Sequence, residues 1–409
     1  MLQIMRSSAI LARLCAAGLL AYGSYAMCRS PLLPLLAREL GATPAMVGVV
    51  VASSTITGAF LKLPAGTWSD VVGRTPLLMT AAIIFALLPF SYFLVTSLVV
   101  LAAIRFVHGS ATAIMGPVMS ATISDLAPAD RRATWLSLYS TIQGAGQAAG
   151  PVVAGMLIAR GRLDILFLVA GIIAAAVPPL VWSAAPQWTP RAGPTPGGWT
   201  RFASGVLEVV AERRILVASV AHAFYFVING TLNAFLPLFA ADRIGLDAAQ
   251  IGWLFGLQTV TTLAVRPAIG AASDRFGRRG AITAGLSGCA ASVFAISLST
   301  SQTGLSAAML AYAVSVAVTT AATSAYITDV APKARFGAAH GVFGTIYDIG
   351  DAGGPLMGGL LVQRWGYAPT FQLMATLAAI TAAAFTLFSR SGHLSHVRHQ
   401  ADPPFGTKR

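Results

Sequence analysis

The chain has 409 residues, 56% of them hydrophobic and only 10% charged, with a formal net charge of +13 and a mean hydropathy of +0.72. Soluble domains run at about 25% charged, so no water-soluble fold buries this much apolar surface, and the main solvent of the chain is lipid. The basic excess invites a nucleic-acid reading, but the placement of the charges argues against one.

A spanning helix takes about 20 apolar residues. Twelve spans are predicted in chain order, at 9–37, 45–67, 76–95, 98–124, 134–159, 163–184, 214–240, 248–271, 280–299, 304–328, 337–361 and 367–389. They group into an N-terminal six-helix bundle (1–184), a linker (185–213), a C-terminal six-helix bundle (214–389) and a tail (390–409). Of 27 Lys and Arg, 17 fall at the N-terminus, in the even-numbered loops or in the tail, and five in the odd-numbered loops. By the positive-inside rule both termini are expected on the cytoplasmic side of the inner membrane. Arg6 and Arg13 ahead of an apolar run look like a signal peptide, yet the spans that follow favour a retained first helix. Cys15, Cys28 and Cys289 make no metal or disulfide pattern.

The chain repeats itself. GTWSDVVGR at Gly66 returns as GAASDRFGR at Gly270, 204 residues later. The same offset carries Asp125 to Asp329, Gly150 to Gly354, Pro151 to Pro355, Gly155 to Gly359 and Lys62 to Arg266. Gly66, Asp70, Gly73 and Arg74, and again Gly270, Asp274, Gly277 and Arg278, spell G-x-x-x-D-x-x-G-R between the second and third spans of each half. This doubled motif resembles the signature of the major facilitator superfamily. The resemblance implies an all-α membrane fold, two six-helix bundles related by internal repeat, moving a solute by alternating access. The first half departs from the family pattern at Val71 and Thr75, where the second has Arg275 and Arg279.

Physically, Asp70 at a helix end suits free N–H groups at a neighbouring helix N-terminus, while Arg74 can reach Asp125 and Arg278 can reach Asp329. These contacts are expected to gate the cytoplasmic side, or else to fix only the shape of the loops. In the fourth span Arg105 and His108 lie one turn apart, and an intramembrane arginine is a functional candidate by default. Arg105 also matches, through Gly109, a fourth-helix R-x-x-x-G pattern that the resemblance links to proton coupling. QGAGQAAGPVVAG, from Gln143 to Gly155, satisfies a dinucleotide fingerprint formally, but no strand precedes it. Gly146, Gly150 and Pro151 read instead as helix packing; the copy in the eleventh span is Gly350, Gly354, Pro355 and Gly359. Both resemble the fifth-helix motif of the family's proton antiporters. Between the halves a Pro- and Gly-rich stretch precedes RFASGVLEVVAERR, which reads as an interfacial helix.

TIYDIGDAGGPLMGG, residues 345 to 359, carries Asp348 and Asp351, the only carboxylates in the spans apart from those at helix ends. An ionised acid at the bilayer centre costs about 2.5–3.5 kcal/mol, and two on one helix face repel. Both effects favour carrying a proton. Their repeat partners, Gly144 and Gln147, are neutral. Asp348 and Asp351, with Arg105, are therefore the proton-coupling candidates; an ion pair from Asp348 to Arg105 or Lys62 is the alternative. In the family fold the first, fourth, seventh and tenth spans line the cavity. The candidates there are Tyr22, Tyr25, Arg29, His108, His222, Tyr225, Asn229, Asn233, Tyr312 and Tyr326, with Gln143 and Gln147 beside them. Arg29 stands in the first span, where relatives that export cations often carry an acid, which favours neutral, zwitterionic or anionic cargo.

No G-x-x-x-x-G-K-[ST] loop, nucleophile–His–acid grouping or metal-ligand cluster occurs. The expected protein is not an enzyme, takes no cofactor or metal, and binds no nucleic acid. Its partners are the bilayer, a small organic solute and protons, and it is expected to be a monomer. Proton-coupled efflux is the first expectation. Proton symport or facilitated diffusion is the nearest alternative, and a non-transporting receptor or scaffold is the alternative of another class.

Overall fold

A computed structural model describes residues 2–128, 131–184, 211–331 and 336–390. Fourteen helices account for nearly all of these residues: α1 (Leu2–Met27), α2 (Leu32–Glu39), α3 (Pro44–Val71), α4 (Arg74–Ser91), α5 (Leu98–Leu126), α6 (Arg132–Ala159), α7 (Leu163–Ala175) and α8 (Val177–Ala184) in the first half, then α9 (Arg213–Phe239), α10 (Ala248–Phe276), α11 (Arg278–Leu298), α12 (Gln302–Val330), α13 (Phe336–Trp365) and α14 (Tyr367–Arg390). The first span breaks into α1 and α2 ahead of Pro31, and the sixth into α7 and α8 ahead of Pro178 and Pro179. Proline lacks the N–H that an uninterrupted helix needs. The linker and residues 201–210 of the predicted interfacial helix, like the tail beyond Arg390, lie outside the described residues, and Arg213 and Arg214 at the end of that segment open α9.

Eleven segments among the described residues are long and apolar enough to cross a membrane. The remaining long helix is α13, 30 residues, in which Asp348, Asp351 and a run of glycines dilute the hydropathy. It takes the place of the predicted eleventh span.

The repeat is visible in the packing. In each half the first span lies on the fifth, α1 on α6 and α9 on α13, and the second on the fourth, α3 on α5 and α10 on α12. Gly146 and Gly150 allow α6 to approach α1: an added Cβ would stand 2.3 Å from the Leu19 carbonyl oxygen or 2.6 Å from the Ala26 Cβ. Their copies Gly350 and Gly354 do the same on α9, at 2.2 Å from Ala223 O and 2.3 Å from Val227 O.

The halves meet along two antiparallel seams, α3 with α13 and α6 with α10. Backbones touch there because glycine leaves room. A Cβ at Gly48 would lie 2.2 Å from Pro355 O, and one at Gly359 would lie 2.7 Å from Pro44 O. On the other seam the distances are 2.3 Å from Gly155 to Ala248 O and 2.3 Å from Gly252 to Pro151 O. All four contacts sit at the helix ends facing the odd-numbered loops, so the molecule is shut on that side.

A valine at Gly48 cannot be seated without parting α3 from α13. Cross-linking of an Ala45→Cys/Gln363→Cys pair, at positions joined by a 3.3 Å hydrogen bond, is expected to fall several-fold in Gly48→Val; unchanged cross-linking would show that the seam tolerates the side chain.

Candidate functional site: the central cavity

A cavity of about 950 Å³ lies between the halves, large enough for a drug-sized molecule. It reaches toward the even-loop side, where Ser120, Ser140 and His340 line it. Its walls use repeat-related positions: Tyr22 and Phe226, Tyr25 and Asn229, Arg29 and Asn233, Ser54 and Gln258, Gln143 and Tyr347, Gln147 and Asp351. Each pair comes from equivalent spans, so a pseudo-twofold axis runs through the lumen.

The expected wall of first, fourth, seventh and tenth spans needs correcting. α3, α6, α10 and α13 contribute as well, and no residue of α12 does. Tyr22, Tyr25, Arg29, Gln143, Gln147, Asn229 and Asn233 line the cavity. His108, His222, Tyr225, Tyr312 and Tyr326 are buried off its wall. Tyr312 stands behind Asn229 and donates to its side-chain oxygen at 3.3 Å. His222 is stacked against Phe343 at 4.8 Å between ring centres, and Tyr225 is packed beside it. Tyr326 meets Phe385 edge-on. His108 is enclosed by the rings of Tyr25, Phe85 and Tyr92. Each of these side chains covers apolar area between helices, which the identity of a single Tyr or His does not reveal.

The two acids of α13 are both matched by cations from the other half. Lys62 Nζ on α3 donates to Asp348 Oδ1 at 2.7 Å and lies 5.1 Å from the centre of the Tyr347 ring. Arg29 Nη2 stands 3.6 Å from Asp351 Oδ2. In both pairs the cation is the more exposed member, 33% for Lys62 against 5% for Asp348 and 31% for Arg29 against 13% for Asp351. Asp348 Oδ2 and Asp351 Oδ1 are buried with no hydrogen-bond partner. On the other seam the equivalent of Asp348 is Gly144, packed by Leu263, and the ion pair has no counterpart.

Arg105 is not with the acids. Fully buried, it donates to Ser54 Oγ at 2.8 Å, Tyr25 OH at 3.0 Å, Tyr92 OH at 3.2 Å and the Cys28 carbonyl at 3.4 Å. Its guanidinium also lies 4.8 Å over the Tyr25 ring, where a cation is attracted. Gly109 makes this possible by bringing α5 onto α3: a Cβ there would be 2.2 Å from Ser54 O. Among the described residues Arg105 makes no ion pair; its two terminal nitrogens are spread over four neutral acceptors just behind the cavity wall, and Nε is buried with no hydrogen-bond partner.

The loop motifs form matching sets within each half. Arg74 donates to Asp125 Oδ2 at 3.2 Å and to Ser69 Oγ at 2.7 Å; Arg278 donates to Asp329 Oδ2 at 3.1 Å and to Ser273 Oγ at 2.6 Å. Arg278 also pairs with Asp274. Gly73 and Gly277 take φ of +97° and +92°, a backbone region that side chains resist. The side chains at Gly66 and Asp70 lie outside the described residues, and a Cβ at Gly270 would meet nothing within 4 Å. These Arg–Asp pairs do not bridge the halves.

An inter-half contact that sequence reasoning missed stands on the odd-loop side. Arg38 pairs with Asp242, whose other oxygen accepts from Tyr367 OH at 2.8 Å. Arg38 and Asp242 are repeat equivalents, 204 residues apart. The signal was present: Arg38-Glu39 in one half is Asp242-Arg243 in the other, and opposite charges at equivalent positions near a twofold axis attract.

Replacing Arg105 with Met strips Ser54, Tyr25, Tyr92 and the Cys28 carbonyl of their donor. The expected loss of stability is on the order of 2 kcal/mol, read as a lower melting temperature of the purified protein. Arg105→Lys should not restore it, because an ammonium cannot copy a planar fork; a full rescue by Lys would show that charge alone matters.

A sequence profile described as the Major Facilitator Superfamily matches residues 14–242 and 218–406, one match per half. The chain is 20% identical over 352 residues to an uncharacterised MFS-type transporter of Methanocaldococcus jannaschii, covering 86% of this chain and 91% of that protein. It is 24% identical over 357 residues to Multidrug resistance protein 1 of Bacillus subtilis, covering 85% and 88%. Among solved structures, a bacterial homologue of the human lysosomal transporter Spinster, in an inward-facing and unoccupied conformation, superposes with a TM-score of 0.76 at 17% identity, covering 94% of this chain and 97% of that one. With two profile matches spanning nearly all of it and the two-bundle fold in place, the chain belongs to the Major Facilitator Superfamily and is a multi-pass membrane transporter, not an enzyme.

Proposed function

We propose that the protein exports a small organic solute from the cytoplasm in exchange for protons, with both termini on the cytoplasmic side of the inner membrane. The basic even-numbered loops support that orientation. With the odd-loop side shut, the cavity then faces inward. The drug-resistance relative in Bacillus subtilis supports export.

The observation that carries the coupling is the 2.7 Å ion pair between Lys62 and Asp348. It joins the halves on the α3–α13 seam, which must part for the cavity to open outward. While Asp348 is ionised, the attraction to Lys62 holds that seam in low-dielectric surroundings, where charge pairing is strong. A proton on Asp348 cancels the attraction and lets the seam open. Exchange requires that the empty, deprotonated carrier stay locked, and this pair supplies the lock. Asp351, one turn further along α13, pairs with Arg29 from the break between α1 and α2 and reinforces that seam. Arg105 is a positioning residue here, holding Tyr25 against the cavity through its guanidinium.

In everted vesicles with an imposed pH gradient, Asp348→Asn is expected to abolish gradient-driven accumulation of fluorescent drugs while leaving gradient-free counterflow. Gradient-driven transport that survives in Asp348→Asn would move the coupling elsewhere.

A further inference from the structure

The charged residues of the cavity wall lie on or beside the α3–α13 seam and point one way. Arg29 and Lys62 project from the N-terminal half, Asp348 and Asp351 from α13 of the C-terminal half. One side of the lumen therefore carries two adjacent ion pairs, at 2.7 and 3.6 Å, with both cations from one half and both acids from the other and no net charge between them. The cations are the members exposed to the lumen, each about one-third accessible, while each acid keeps one buried oxygen without a hydrogen-bond partner.

From this arrangement we propose that the cargo is a zwitterion: a molecule with an anionic group that seats against Lys62 and Arg29 and a cationic group that seats against Asp348 and Asp351. The proposal rests on the exchange reading above. Unlocking the α3–α13 seam requires something to replace the Lys62–Asp348 pair. A proton does so by neutralising the acid. A purely cationic cargo would satisfy Asp348 but, like the proton, leave Lys62 to the water of the lumen, and a purely anionic cargo would satisfy Lys62 and strand an ionised Asp348, of which 5% is exposed. An unpaired charge weakens binding in both cases, more for the buried acid than for the partly exposed lysine. A neutral cargo would leave the pair closed and the carrier locked. Only a cargo with both signs takes both partners and keeps the wall balanced, and it competes with the proton for Asp348, as exchange demands. Tyr22, Phe226 and Tyr347 flank the same space and offer ring faces for an aromatic body between the two charged groups.

One scaffold in three charge states tests this. Norfloxacin, its ethyl ester and its N-acetyl derivative share a ring system and are respectively zwitterionic, cationic and anionic near neutral pH. Binding of each to the purified full-length protein would be followed by quinolone fluorescence. The zwitterion is expected to bind about tenfold more tightly than either derivative, as when a site strands an unpaired polar group. Lys62→Gln should erase its advantage over the ester, and Asp348→Asn its advantage over the N-acetyl compound. Equal or tighter binding of the ester, binding of the N-acetyl compound that leads and strengthens on acidification, or no preference (including no binding by any of the three) would each overturn the proposal. Gradient-driven efflux of any drug that persists alongside such a result, and is lost in Asp348→Asn, would sink the charge class and leave the exchange reading standing; efflux insensitive to Asp348→Asn would sink the exchange reading itself.

Discussion

Two lines of backbone contact between the halves, α3 on α13 and α6 on α10, set the terms for the rest of the molecule. A lipid-embedded bundle gains nothing from burying apolar surface against its neighbour when lipid is equally apolar, so close van der Waals packing has to hold the halves together. Glycines at Gly48, Gly155, Gly252 and Gly359 supply it by letting carbonyls of the facing helix come within the radius a side chain would occupy. Because the seams close at the odd-loop ends, the cavity widens toward the other side. Whatever stands on the seams below the glycines is therefore both at the wall of the cavity and at the joint that must move.

Charge is distributed unequally between the two joints. The α3–α13 seam carries Lys62 with Asp348 and has Arg29 and Asp351 beside it; at the matching level of the α6–α10 seam, Gly144 meets Leu263. A repeat with equal seams would part both by the same route. Here one joint has Arg266 at the position of Lys62 but Gly144 at that of Asp348, and so no equivalent ion pair among the described residues, while the other has an electrostatic catch that a proton or a charged group can release. Arg38 and Asp242, close to the pseudo-twofold axis, add a third tie on the closed side. The Arg74–Asp125 and Arg278–Asp329 pairs, by contrast, hold loops inside each half and are formed with the odd-loop side shut.

Much of this was legible in the residues. Span positions followed from hydropathy, but the first and sixth were read as continuous, and their breaks at Pro31 and ahead of Pro178 and Pro179 emerged only in the fold. The offset of 204 residues predicted which glycines would perform equivalent tasks, and Arg74 and Arg278 reach the aspartates expected of them. The site was harder. Arg105 and Asp348 both stood out as costly charges in lipid, and the sequence left Asp348 free to carry a proton or to pair with either Arg105 or Lys62. In the folded chain Arg105 is bound to Ser54, Tyr25 and Tyr92 of its own half, and Asp348 takes Lys62. Five of the aromatic and histidine candidates turned inward between helices, since a helix with apolar residues on every side gives no period from which to read its facing.

The sequence by itself determined the solvent, the number of spans, the internal repeat, the family and the inventory of intramembrane charges, because each depends on composition or on spacing along one chain. Which of those charges meet, which side of the molecule is shut, and which faces of the helices line the lumen were decided only by tertiary structure. Those properties arise from side chains hundreds of residues apart, and the approach that joins them is set by backbone contact at a few glycines.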